Sequence, residues 1–214
     1  MLSKFEEQLN ALNYDLTIMG SMCEKAIASS ARSFLLCDLE MAKEVSEISE
    51  EIDKKEREIE NECLKMLLSQ QPVARDLRVI SSALKLVYDM ERIGDNSADI
   101  AEIVYTAKIS PEEDLSDIRE MAEATIKMVR ESIEAFCKKD INIAKSIIKY
   151  DDVVDDYFES VKSRLIKKLS KTQHESGEYI LDILMIAKYL ERIGDHAVNI
   201  AKWVIFSITA KKPD

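Results

Sequence analysis

The chain has 214 residues, enough for one large domain or two of about 100 residues each. Its composition, 46% hydrophobic and 33% charged, is that of a globular protein and excludes a disordered one. Four Gly and three Pro are too few for the turns of a β-sandwich or barrel, and a net charge of −11 argues against nucleic acid as the main partner.

The punctuation that does occur marks out helices. Met1-Leu2-Ser3-Lys4-Phe5-Glu6 lacks a signal-peptide apolar region, and Ser3 with Glu6 makes a capping-box signature for a first helix. Asp38 and Asp140 are N-cap candidates for later helices. Gln71-Pro72 ends a helix and restarts one with Pro in its first turn, and Ser110-Pro111-Glu112-Glu113 repeats the pattern at mid-chain. His174-Glu175-Ser176-Gly177 is the last break. The apolar periodicity between breaks predicts helices over 3–35, 38–70, 73–107, 112–137, 140–171 and 176–210. Cys23, Cys37, Cys63 and Cys137 show no CxxC spacing and are expected to pack as small apolar residues within helices. The longest apolar stretch, Trp203 to Ala210, is too short to cross a bilayer, so a cytoplasmic protein without direct membrane insertion is expected.

The chain repeats itself. Glu91-Arg92-Ile93-Gly94-Asp95 recurs as Glu191-Arg192-Ile193-Gly194-Asp195, and Asp38-Leu39, Ala42-Lys43 and Ile52-Asp53 align with Asp140-Ile141, Ala144-Lys145 and Val154-Asp155. An identical pentapeptide in the same helix of each half is the mark of an internal duplication. The expected fold is therefore all-α: two tandem three-helix bundles, residues 1–108 and 109–214, joined between Thr106 and Asp114.

Acids spaced four apart carry the candidate chemistry. With Glu91 at zero on a wheel of about 100° per residue, Leu77, Ile80, Leu84, Val87 and Asp95 all fall within about 40°, so the carboxylates continue the apolar stripe. Glu191 and Asp195 behave alike among Ile180, Leu184 and Ala187. On the preceding helix of each copy, Asp53 and the pair Asp151/Asp155 share the apolar face. Folding each helix pair into a hairpin brings Asp53 level with Glu91, and Asp155 level with Glu191. Inward acids at one height repel and resist desolvation, so they need protons, basic partners or a metal. Carboxylate oxygens suit hard or borderline cations, and helix bundles hold several metals through such groups. An inward salt-bridge network and an exposed acidic groove are the alternatives. No Glu-x-x-His pairing of the di-iron oxidases occurs, and His196, with Asn96 at its place in the first copy, reads as a satisfied polar residue rather than a ligand.

Glu-Arg-Ile-Gly-Asp followed by Ala-Asp-Ile-Ala-Glu (98–102) or Val-Asn-Ile-Ala-Lys (198–202), with Gln70-Gln71-Pro72-Val73-Ala74-Arg75-Asp76-Leu77-Arg78, resembles the PhoU family over essentially the whole chain. The resemblance implies a non-enzymatic negative regulator of phosphate uptake and of the phosphate-starvation response. Its partners would be the ATPase of a phosphate ABC transporter and a sensor histidine kinase, and the protein would be a homodimer peripheral to the inner membrane. It also implies multinuclear iron or zinc, with manganese or magnesium as lesser alternatives. By position the ligands would be Glu91, Asp95 and Asp99, Glu191 and Asp195, and Asp151 and Asp155. This sequence departs from the pattern where Asn199 replaces the third acid and Ser49 breaks the pair with Asp53. The competing functions are a metal-dependent carboxylate-bundle enzyme and a metal-free helical adaptor of another transport system. No nucleophile–base pair or phosphate-cradling Gly loop supports the enzyme.

Overall fold

The computed structural model describes residues 4–70, 72–109, 116–170, 177–211 and 213. Among these it contains α1 (Lys4–Leu36), α2 (Leu39–Gln70), α3 (Ala74–Ala107), α4 (Ser116–Lys138), α5 (Ile141–Leu169) and α6 (Gly177–Thr209), and no strand. The expected helices are all present. Ser3, Gln71, Ser110-Pro111 and His174-Glu175-Ser176 lie outside the described residues.

The two shortest connections are one device used twice. Cys37 and Lys139 adopt left-handed backbone, φ 53° and 54°, a conformation that costs a non-glycine residue about 1–2 kcal/mol. That turn lets the Cys37 amide reach Phe34 O at 3.3 Å and the Asp38 amide reach Ser33 O at 2.9 Å. Lys139 and Asp140 do the same to Phe136 O and Ala135 O at 3.1 and 2.9 Å, closing a Schellman end in each copy. The next helix starts at once, because Asp38 Oδ1 accepts from the Met41 amide at 3.0 Å and Asp140 Oδ1 from the Asn142 and Ile143 amides at 2.8 and 3.2 Å. Cys37 is thus a turn residue outside any helix, whereas Cys23 and Cys63 are buried as expected. Pro72 also differs from expectation. It precedes the N-cap Val73, whose backbone is extended, and α3 begins only at Ala74.

Helices α1–α3 form one bundle and α4–α6 the other. Each bundle packs an apolar core, with Leu16, Phe34, Ile52, Met66, Ile80 and Met90 fully buried in the first. The bundles meet through α1 against α4 and α3 against α6, while α2 and α5 touch only their own bundle. Gly20 permits the first of these contacts, since a Cβ there would overlap the Ile133 side chain. The α3–α6 contact runs antiparallel: buried Asp89 accepts from His196 Nδ1 at 2.9 Å, and Asp99 accepts from the Tyr189 hydroxyl. Among the described residues no helix is long and apolar enough to cross a membrane.

Candidate metal centre

Close approach of α2 to α3 is what builds the site. At Gly94 a Cβ would lie 3.1 Å from Ile52 Cδ1 and 3.3 Å from its Cγ2, so a side chain at 94 would require the Ile52 side chain to give by a few tenths of an ångström. With glycine there, Asp53, the neighbour of Ile52, comes beside Glu91 and Asp95, one turn apart on α3. One carboxylate oxygen from each of the three lies within 4.8 Å of the others.

Local hydrogen bonding leaves this group incomplete. Asp53 Oδ1 and Glu91 Oε2 are buried without a hydrogen-bond partner. Arg92 Nε stands 3.3 Å from Glu91 Oε2, close enough for charge attraction but off the hydrogen-bond direction, and Arg92 Nη1 donates instead to Asp95 Oδ2 at 2.7 Å. The other oxygen of Asp53 is 3.9 Å from the exposed Arg57. Burial, and then the negative charge of Asp95, push the Glu91 carboxyl up to about 7 against the pull of Arg92. Glu56, a turn beyond Asp53 and also raised by burial, adds a further negative charge. Orphaned anionic oxygens in a convergent all-carboxylate set fit a hard or borderline cation, and they fit poorly with a salt bridge that already satisfies them.

The expected inward orientation needs correction. Counting at about 100° per residue, the buried face of α3 centres on Ala83, Met90, Ser97 and Ala101, about 100° from Glu91. Leu77, used to place the stripe, is 47% exposed. The acids therefore line the rim of the groove between α2 and α3, half-buried, and not the core.

Asp99 is not part of the group. It faces α6, where burial raises its carboxyl while the Tyr189 hydroxyl and the charge of Arg192 oppose the rise. In the second bundle the expected residues spread out. Asp151 packs over Gly194, with its Oδ1 3.3 Å from where a Cβ would stand, and its carboxyl is pushed up to about 6 by burial and then by the charges of Asp155 and Asp195. Asp155 and Asp195 are exposed, and Lys188 donates to Glu191 Oε2. Among the described residues no set of three ligand atoms converges here. A cleft of about 450 Å³ beside them mixes Asp151 and Asp195 with Arg192, His196, Asn199 and Lys202.

Two residues escaped the sequence reading. Glu56 was signalled only by its spacing of three from Asp53. Asp89 gave no signal, because its partners His196 and Asn199, at 2.9 and 3.5 Å, come from the other bundle. His196 is the satisfied polar residue expected.

The PhoU domain model matches residues 16–104 and 118–204, one copy in each bundle. The chain belongs to the PhoU family. It is 35% identical over 213 residues to the phosphate-specific transport system accessory protein PhoU homolog of Synechocystis sp., covering 98% of this chain and 93% of that one. The homolog of the same description from Clostridium acetobutylicum is 32% identical, with 98% and 96% covered. The crystal structure of PhoU from Pseudomonas aeruginosa superposes with a TM-score of 0.90 at 31% identity, over 97% of this chain and 100% of that one. Both Glu-Arg-Ile-Gly-Asp segments fall inside the PhoU matches, at corresponding places in α3 and α6.

Proposed function

We propose that this chain is the accessory protein of a phosphate transport system, a non-enzymatic negative regulator of phosphate uptake and of the starvation response. We further propose that it holds a metal ion between α2 and α3. The first part is supported by the curated relatives, which carry a phosphate-transport accessory description over nearly their whole length. Its partners on this reading are a phosphate ABC transporter ATPase and a sensor histidine kinase. The protein acts as a cytoplasmic homodimer peripheral to the inner membrane. With no spanning helix among the described residues, it would reach the transporter through protein contacts.

The observation that carries the metal reading is the convergence of Asp53, Glu91 and Asp95 with two buried, unpartnered oxygens. A bound iron or zinc ion, or else manganese or magnesium, would cancel the repulsion among these carboxylates and tie α2 to α3. Asp53 would hold it from α2, and Glu91 and Asp95 from α3. Arg92 orients Asp95 and tempers the charge.

A complementation experiment tests the regulatory role. A host lacking this protein is expected to express phosphate-starvation reporters in ample phosphate. The wild-type chain should silence them, and Asp53→Asn/Glu91→Gln/Asp95→Asn should do so incompletely. Reporters that stay silent without the protein would refute the regulatory role.

A further inference from the structure

The two bundles share a backbone plan and differ in charge balance. Tyr88 and Glu102 of the first copy stand where the second has Lys188 and Lys202. In the first bundle Tyr88 points to solvent, 51% exposed, under the Arg92 guanidinium. It offers Glu91 no positive charge, and Glu91 Oε2 stays without a hydrogen bond. In the second bundle Lys188 donates to Glu191 Oε2, and its charge also reaches Asp155 and Asp195. Arg192 and Lys202 border the cleft shared by Asp151 and Asp195. Among the described residues, neither half-buried acid here, Asp151 or Glu191, has a buried oxygen without a hydrogen-bond partner, in contrast to Asp53 and Glu91, and Asp155 and Asp195 are exposed.

We propose that Lys188, assisted by Lys202, supplies in the second bundle the positive charge that a metal supplies in the first, so that the second acid set takes no metal ion. The resemblance to the family implies ligands in both copies, and the side chains of the second do not fit a metal. Lys188 is a half-exposed residue on a flexible stem, so it competes with an incoming cation and does not wall it out. Its leverage comes from facing three carboxylates together, where a second cation would meet both its charge and a set of oxygens already spread apart. The comparison between bundles rests on the metal reading above. The test does not.

The metal-stripped full chain carrying Glu91→Gln and Asp95→Asn, which disable the first groove, is titrated calorimetrically with Mn²⁺ and with Zn²⁺. The same titration follows after Lys188→Met/Lys202→Gln is added. No saturable site is expected before the lysines are removed, and a stoichiometric one is expected afterwards. Adding Asp155→Asn/Asp195→Asn should abolish it. A stoichiometric site with both lysines in place would overturn the proposal. So would the absence of a site after their removal from a protein with unchanged helical circular dichroism. Should the double variant lose its helical signal, Lys188→Tyr, the residue of the first copy, is titrated in its place with the same two outcomes decisive. Failure of metal binding at the first groove is read separately, in the chain with Glu91 and Asp95 intact.

Discussion

Replacing Glu91 with Gln should stabilise the metal-free protein at alkaline pH and leave it nearly unchanged at acid pH. Burial and the Asp95 charge raise the Glu91 carboxyl from 4.5 to about 7. Between those values the folded state holds more protons than the unfolded one, so stability falls as pH rises and levels off above about 7. At 1.36 kcal/mol per pH unit the full displacement sets a ceiling of about 3.4 kcal/mol. The rim of the groove is open to solvent, which screens the charge and brings the expected gain down to about 1–2 kcal/mol. For a chain of this size that corresponds to a rise in Tm of roughly 2–8 °C. Calorimetry of chelator-treated wild type and Glu91→Gln at pH 8 and pH 4.5 measures it. Metal should then reverse the order at pH 8, raising the wild type above the variant, because only the wild type keeps the full ligand set. A variant destabilised at pH 8 without metal, or equally stabilised at both pH values, would refute the picture of a strained, uncompensated carboxylate.

Other substitutions test the frame around the site. Gly20→Val should cost about 2–3 kcal/mol in urea unfolding by driving a side chain into Ile133, with Ile133→Ala restoring part of the loss in the double variant. Asp140→Ala removes the cap of the Asn142 and Ile143 amides and should lower stability by about 1 kcal/mol. Asp89→Ala leaves His196 Nδ1 without its partner between the bundles and should cost about 1–3 kcal/mol by the same measurement. Asp151→Ser, the first copy's residue, should raise Tm at pH 7.5 and not at pH 3.5, since the folded carboxyl titrates near 6 and the unfolded one near 3.8.

The sequence was most legible where local rules decide. The identical pentapeptides mark the duplication, and Asp38 and Asp140 cap the helices they were expected to cap. Helical phase was harder to read, because α3 packs against three helices and its broad buried arc shifts the apparent stripe toward Glu91. Contacts between bundles were invisible for a different reason. Nothing near Asp89 or Asp99 in the sequence announces His196 or Tyr189, which the antiparallel α3–α6 contact delivers from about a hundred residues away. The pairing of Asp53 with Glu91 and Asp95 came from counting back from the turn. The unequal charge of the two copies was already written in Tyr88 against Lys188, but only the lysine's bond to Glu191 gave that difference a meaning.

The most direct measurement is elemental analysis of the protein purified without chelators, beside Asp53→Asn/Glu91→Gln/Asp95→Asn with its helical circular dichroism verified. The groove between α2 and α3 predicts stoichiometric metal in the wild type and its loss in the folded variant. A wild type that stays metal-free after dialysis against iron and zinc, or a variant that keeps the same metal content, would contradict it.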